Sequence, residues 1–265
     1  MGIMKLRHLP RRLLFRLRGV PSVFIPEVIY PDDTFLVSFP KSGNTWVKFM
    51  LAHLTRPPEF HIDFRTVLQV IPEVNRDTVE IRQLARPRIM KSHAPYQPQF
   101  PKVIYVVRDG RDAYVSYYHY RRGQLPQDLT FAQYLTFENH WPCSWSAHVN
   151  SWLDADLDSS RFLLVQYEKL HRAPEEELAR IASFVNLEVT KERIRRAVEQ
   201  SAFATMQELE DTSGHPRSKR FSGRFVRCGE IGGWRDYFDA QATDVFKESE
   251  NEALLRLGYE DEPDW

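Results

Sequence analysis

Cysteine is scarce in this chain. Cys143 and Cys228 are the only two in 265 residues. That is too few for a disulfide framework, and reduced thiols in a cytosol fit the pair better than a secreted scaffold does. Net charge is missing too: 36 Lys and Arg cancel 36 Asp and Glu, so nothing pulls the whole chain toward nucleic acid. No apolar run approaches the roughly 20 residues of a membrane span. No grouping of His, Cys, Asp and Glu has zinc-finger or metalloprotease spacing, and no metal is expected. No internal repeat or low-complexity tract is evident. What remains is ordinary globular composition, 42% hydrophobic and 27% charged, enough for one domain that buries most of its unfolded surface.

The charge is unevenly spread. Residues 4–18 hold six Lys and Arg and no acid, with Leu6, Leu9, Leu13, Leu14 and Leu17 near helical spacing. Two readings stand: a helix packed on its own domain with a solvated basic face, or a basic amphipathic helix making weak peripheral contact with an anionic membrane. The stretch is too arginine-rich and interrupted for a secretory signal peptide. The expected organisation is a basic N-terminal segment, residues 1–30, and a single domain, residues 31–265.

The most informative stretch is Ser38-Phe39-Pro40-Lys41-Ser42-Gly43-Asn44-Thr45-Trp46. The apolar run Thr34 to Val37 before it reads as a buried strand, and Val47 to Leu54 after it reads as a helix. Strand, short loop and helix make a phosphate-binding turn, because backbone N–H groups and the helix dipole at the helix start favour an anion. Gly43 permits close backbone approach. Lys41 adds a positive charge, and Ser42 and Thr45 add hydroxyl donors. The usual nucleotide loop has two glycines and places Lys-Ser/Thr after the second. Here the lysine precedes a single glycine.

A second segment repeats the theme. Lys102 to Val107 reads as a buried strand running into Arg108-Asp109-Gly110-Arg111-Asp112-Ala113-Tyr114-Val115-Ser116-Tyr117-Tyr118-His119. Asp109 and Asp112 suit a helix start. Arg108 stands at the carboxyl end of its strand, where open α/β sheets bind ligands. Asp112 and Ser116 share a helix face. Arg108 and Ser116 together suit a second phosphate, since guanidinium is its preferred bidentate partner. Between the two segments, Arg88 to Pro95 reads as a strand ending in a loop that carries His93.

At this point the chain resembles the sulfotransferases that use 3′-phosphoadenosine-5′-phosphosulfate (PAPS), the cytosolic type most of all. Phe39 to Trp46 resembles the loop that holds the 5′-phosphosulfate in that family, which implies cofactor contacts from Lys41, Ser42, Gly43, Asn44, Thr45 and Trp46. Lys91-Ser92-His93 resembles Lys-Thr-His, which contains the catalytic base. Arg108 to His119 resembles the segment that binds the 3′-phosphate, and the resemblance implies that Ser116 also restrains Lys41. Gln166-Tyr167-Glu168-Lys169 and Ser201 to Met206 resemble the two adenine contacts, which implies roles for Tyr167 and Phe203. Arg227-Cys228-Gly229-Glu230-Ile231-Gly232-Gly233-Trp234 resembles the segment that closes over the 3′-phosphate, with Arg227 and Gly229 as contacts. The six motifs run in family order over roughly residues 33 to 257.

The departures are specific. Asn44 replaces a threonine, Ala202 lacks a serine hydroxyl, and Cys228 replaces a lysine, a lost charge for which Arg220, Arg224 or Arg227 would have to compensate. The family's C-terminal dimerisation pattern is not recognisable between Arg235 and Asp244, which leaves the oligomeric state open.

The chemistry agrees with the resemblance. Moving a sulfuryl group to a hydroxyl is an in-line displacement. It needs a base, for which His93 has the pKa nearest neutrality. It needs positive charge at the leaving phosphate, which Lys41 provides, and a fixed alignment. Lys91 lies on the same side of its strand as His93 and can face the same group. His53 and His148 read as packing residues, and His119 as a possible site contact.

Strands alternating with helices imply an α/β fold, a P-loop-like three-layer domain with a mostly parallel central sheet flanked by helices. Arg161 to Tyr167 reads as another strand, and Pro174 with three following glutamates opens a helix. The Gly-, Ser- and base-rich stretch from Asp211 to Gly233 reads as a mobile lid. Tyr96, Phe137, Trp141 and Trp145 are candidates to cap the cleft of a small hydroxyl acceptor. The expected protein is a cytoplasmic PAPS-dependent enzyme. The alternatives are a P-loop nucleotide phosphotransferase and a non-catalytic nucleotide-binding protein of the same fold. For the N-terminal segment, deletion of residues 1–18 is expected to leave co-sedimentation with anionic vesicles unchanged if the helix packs on its own domain. Loss of sedimentation selects the membrane.

Overall fold

A computed structural model describes residues 25–26, 28–74, 81–137, 140–216, 221 and 223–265. The basic stretch 4–18 lies outside them, as does Arg220. Four short strands form the centre: β1 (Thr34–Val37), β2 (Ile89–Ser92), β3 (Lys102–Val107) and β4 (Phe162–Gln166). They pair in the order β2-β1-β3-β4, every pair parallel. The mostly parallel sheet read from the strand–helix alternation is therefore fully parallel in these four strands.

Both faces of the sheet are covered, so its strands are apolar at successive positions rather than at alternate ones. Phe35, Val37, Val103, Tyr105 and Val107 face an aromatic-rich core. To it α3 (Gly110–Arg121), α5 (Trp145–Leu153) and α10 (Ala240–Leu257) contribute. Leu36, Ile104, Val106 and Val165 face the opposite core, built with α1 (Asn44–Thr55), α7 (Pro174–Phe184) and α8 (Lys191–Gln200). A third cluster joins Phe49 and Ala52 of α1 to Phe64, to Val67 of the short α2 (Thr66–Val70) and to Met206 of α9 (Phe203–Ser213). Two short helices, α4 (Phe131–Leu135) and α6 (Tyr167–Arg172), complete the set used below.

The sequence boundaries shift where tertiary contacts decide them. The first helix starts at Asn44 rather than Val47, because Gly43 already has a left-handed φ of 94° and caps it. The supposed lid loses its first three residues, Asp211 to Ser213, to the end of α9. Ile25 and Ile29 pack on the aromatic core, and the Val28 carbonyl accepts from Arg88 at 3.0 Å. The chain is thus already engaged with the domain before residue 31.

One ion pair organises the amino ends of β1 and β2. Arg88 and Asp33 have fully buried side chains. Arg88 Nε donates to Asp33 Oδ1 at 2.8 Å and Nη1 donates to the Ile81 carbonyl at 2.9 Å. The Tyr30 amide donates to Asp33 Oδ2 at 2.7 Å. Removing one partner of a buried pair strands the other charge. Asp33→Asn is therefore expected to cost about 3–5 kcal/mol in urea unfolding. A loss below about 1 kcal/mol, the range of exposed pairs, would mean that water reaches Arg88 in solution.

Candidate active site

The strand order creates the site. From β1 the chain crosses to β2 on one side, and β3 and β4 follow on the other, so the order reverses between β1 and β3. Ligands of open α/β sheets bind at the carboxyl ends of strands flanking such a point. The loop after β1 and Arg108 after β3 therefore come side by side. They line one cavity of about 730 Å³ with Lys91, His93, Ser116, Tyr167, Arg227 and Gly229.

The loop is built as read, with a feature the residue types alone do not reveal. Lys41 itself has a left-handed φ of 69°, as does Gly43 at 94°. A Cβ on Gly43 would sit 2.5 Å from the Tyr167 ring, so glycine is required for space as well as for φ. No side chain caps α1, and its first turn holds no acid. That leaves the helix dipole directed at the cavity. Ser42 Oγ, Asn44 Oδ1, Arg108 Nε and Ser201 Oγ are buried without a hydrogen-bond partner among the described residues. Asn44 Nδ2 instead donates inward, to Ser38 Oγ at 3.0 Å.

Lys41 lies 3.9 Å over the Phe225 ring and 4.9 Å over Tyr120. Burial, and then the charges of Lys91, Arg108 and Arg227, pull its pKa down to about 7, against the opposing charge of Glu210. Glu210 holds the return segment over this lysine, accepting from the Phe225 and Val226 amides at 2.6 and 2.8 Å.

Arg108 is clamped differently from the sequence expectation for its neighbour. Asp109 caps α3 as read, accepting from the Arg111 amide. Asp112 does more than complement the helix dipole. It stands 3.7 Å from Arg108 and accepts from the Gly232 and Trp234 amides at 2.7 and 2.9 Å. One buried carboxylate, its pKa raised by burial, thus ties the 229–234 segment to the start of α3. The Arg108 guanidinium stacks 4.6 Å over Tyr167, whose hydroxyl donates to the Gly229 carbonyl at 2.6 Å. Trp46 meets Tyr167 edge-on at 5.9 Å and donates to the Ser201 carbonyl at 2.9 Å. Phe203, 41% exposed, and Cys228 line the same end. Of the arginines proposed to offset Cys228, Arg227 lines the cavity, whereas Arg224 pairs with Asp211 at 2.6 Å on the surface.

At the other end, His93 Nδ1–H donates to the Ser38 carbonyl at 2.7 Å. A carbonyl only accepts, so Nε2 is the basic nitrogen of the neutral ring. His148, fully buried with its pKa lowered by burial to about 3, contacts the His93 carbonyl at 3.3 Å and the Tyr105 hydroxyl at 2.8 Å. It is a packing residue that fixes the loop. His53 is likewise lowered by burial, to about 4. His119 pairs with the Tyr237 hydroxyl at 2.7 Å, and burial lowers its pKa. Of the four aromatics proposed to cap an acceptor, Trp141 lines the cavity, 5.5 Å from the His93 ring. Trp145, Tyr96 and Phe137 instead pack within the protein, Trp145 in the core, Tyr96 on Trp152 and Phe137 on Tyr134. Aromatic residue type does not distinguish core from cleft.

Two residues escaped the motifs. Lys48, one turn into α1, is 5% exposed and lines the cavity. Glu73 is buried beside Lys91 and His93 at the carboxyl end of β2. Lys48 sits at a helix position four after Asn44, a spacing that hints at a shared face. Nothing in sequence pairs Glu73 with His93.

The arrangement defines a P-loop-like α/β protein whose cations and helix start suit a ligand with two separated phosphate groups. A family model, the sulfotransferase domain, matches residues 31–258. Sulfotransferase 1C2 of Rattus norvegicus is 30% identical over 243 residues, 82% of this chain and 81% of that protein. Its Homo sapiens counterpart is 28% identical over the same length and shares. A crystal structure of mouse sulfotransferase SULT7A1 complexed with PAP shares the fold, with TM-score 0.69 and 24% identity over 87% of this chain and 88% of that one. Retinol dehydratase in complex with androsterone and inactive cofactor PAP does so at TM-score 0.69 and 20% identity, over 86% and 82%. The chain belongs to the PAPS-dependent sulfotransferase family, and sulfuryl transfer from PAPS is the activity this membership assigns. Among the described residues no helix is long and apolar enough to cross a membrane.

Because its pKa lies near 7, below the ordinary lysine value, Lys41 is mostly neutral at pH 8.5 and a bound phosphate restores its charge. Binding of adenosine 3′,5′-bisphosphate (PAP) at pH 8.5 is therefore expected to take up about one proton. Calorimetry in buffers of different ionisation enthalpy reads this directly. Lys41→Met should abolish the uptake, and equal uptake in that variant would assign it elsewhere.

Proposed function

We propose that this chain is a cytoplasmic sulfotransferase that uses His93 as general base and Lys41 as the group offsetting charge on the leaving phosphate. The observation that carries the reading is the His93 geometry. Nδ1–H is committed to the Ser38 carbonyl, and the ring lines the same cavity as Lys41 and Lys91. PAPS, when bound, supplies the sulfuryl group on a phosphate leaving group. Ser42, Gly43, Asn44, Thr45 and Trp46 would hold its 5′ end, and Arg108, Ser116, Arg227 and Gly229 its 3′-phosphate. The partnerless Ser42 hydroxyl and Arg108 Nε fit such an anion. Tyr167 and Phe203 would flank the adenine. The chain's own residues then do three things. His93 takes the acceptor's hydroxyl proton at Nε2, Lys41 and the α1 dipole stabilise the charge gathering on the departing phosphate oxygen, and Lys91 faces the sulfuryl oxygens.

The acceptor is read as a small apolar alcohol or phenol. Phe64, Val67, Leu68, Tyr117, Tyr120 and Trp141 line the cavity, and such a wall rewards burial of apolar area. The retinol dehydratase structures, of the same fold, carry androsterone and retinol in their names. The location reading agrees with relatives such as cytosolic sulfotransferase 13 of Arabidopsis thaliana.

Melting curves with PAP, without metal, should show selective stabilisation, about 2.7 kcal/mol at 100 times the dissociation constant. ADP, or ATP with magnesium, should give less. His93→Ala should keep that stabilisation and lose about 10²- to 10⁴-fold in turnover with PAPS and 2-naphthol. Undiminished turnover refutes the base, and a preference for ATP with magnesium refutes the cofactor.

A further inference from the structure

Glu73 follows α2, outside every motif recognised in the chain. Its placement is nonetheless rigid. It forms an isolated parallel bridge with Lys91 at the outer edge of β2: the Lys91 amide donates to the Pro72 carbonyl at 2.8 Å, and the Val74 amide donates to the Lys91 carbonyl at 3.0 Å. Its carboxylate is 1% exposed. Oε1 stands 3.4 Å from Lys91 Nζ and 3.7 Å from His93 Nε2. Nδ1 of the same ring is held by the Ser38 carbonyl, so the carboxylate addresses the nitrogen that does the chemistry.

From this geometry we propose that Glu73 is a positioning residue for the transfer reaction, setting the basicity and orientation of His93 and fixing Lys91 beside it. The inference rests on His93 being the base, as proposed above. A buried carboxylate needs cationic partners, and here the partner nearest to hand is Lys91, with the imidazolium joining once His93 has taken the acceptor's proton. The surroundings make the carboxylate necessary. Among the described residues, the charged side chains lining the cavity are mostly cations: Lys91 from β2, Lys41 from the loop, Lys48 from α1 and, toward the far end, Arg108 and Arg227, with Glu199 the one acid. Trp141 meets the His93 ring edge-on at 5.5 Å. Cations alone would depress the imidazole and leave a feeble base. One carboxylate within about 4 Å opposes them, and such a partner moves a titration by about 1–3 pH units. Its backbone is anchored at the sheet edge by the bridge to Lys91.

The test separates this role from a structural one. In ¹⁵N-histidine-labelled protein saturated with PAP, long-range ¹H–¹⁵N spectra follow the His93 ring, assigned by its loss in His93→Gln. The ring is expected to titrate about one pH unit lower in Glu73→Gln than in wild type, with Glu73→Asp between them. The acid limb of kcat/KM for PAPS and 2-naphthol should move equally, while the dissociation constant for PAP stays within about twofold. Adding Glu73→Gln to His93→Gln should slow turnover by less than Glu73→Gln does on its own, because only the part acting through Lys91 is left. Identical His93 titration in wild type and Glu73→Gln overturns the proposal, and so does a Glu73 effect that persists in full without His93. If Glu73→Gln does not melt cooperatively, the Glu73→Asp comparison decides in the same way. Wild-type turnover in His93→Gln would instead sink the base assignment itself, a result distinguishable because the ring titration is read independently of turnover.

Discussion

Repulsion among cations is the constraint around which this site is arranged. Lys41, Lys91, Arg108 and Arg227 act on one another closely enough for three of them to depress the fourth. Two like charges 4 Å apart at an effective dielectric of 20 repel by about 4 kcal/mol, a large fraction of a domain's net stability. A chain that gathers such charges needs a rigid frame and selected counter-charges. The frame is the parallel sheet, buried on both faces. Among the described residues the counter-charges include three carboxylates from separate parts of the chain: Asp112 at Arg108, Glu73 at Lys91, and Glu210 near Lys41.

Two of those carboxylates also hold backbone directly and the third is held by it, and this links charge balance to the shape of the cavity. Asp112 accepts from the Gly232 and Trp234 amides. Glu210 accepts from the Phe225 and Val226 amides. Glu73 sits in the bridge that widens the edge of β2. The return segment, residues 223–234 and mostly irregular in conformation, is thereby fastened near both ends of its path across the cavity. Further out, Arg111 stacks 4.0 Å from Trp234 and 4.4 Å from Trp265, so the C-terminal residue braces the same fastening from behind. Electrostatics at the ligand end and aromatic packing at the far end cooperate through one turn of α3.

Much of this was legible from local chemistry. Lys102–Val107 is a strand in full, because six consecutive apolar-biased residues followed by Arg-Asp have few other uses. The Pro-Lys-Ser-Gly turn and the Asp109 cap were readable for the same reason: each is determined within a few residues. What was not legible is long-range. Trp145 and Trp141 are four residues apart, and only the packing of α5 against Tyr114 and Phe246 sends one into the core while the other meets His93. Glu73 is 18 residues from Lys91, and only a parallel bridge brings them together. Asp112 reads locally as a dipole partner, and its larger role depends on amides 120 and 122 residues away. Motifs locate groups that touch the ligand. They do not locate the carboxylates that make those groups tolerable to one another.

The same charge balance bears on Cys228. Compared with the family pattern it is a lost cation, and a simple count makes the site weaker. The site, however, is limited by crowding as much as by charge, since burial first and then the neighbouring cations already pull the Lys41 pKa down to about 7. A lysine at position 228, beside Tyr167 and Arg227, would add another cation to a lining that already holds Lys41, Lys91, Arg108 and Arg227. A neutral side chain gives up the contact to the 3′-phosphate that the family pattern implies, and it adds no repulsion to the cations already there. Because the two effects oppose, the cost of the cysteine is expected to be smaller than that of an isolated lysine–phosphate contact.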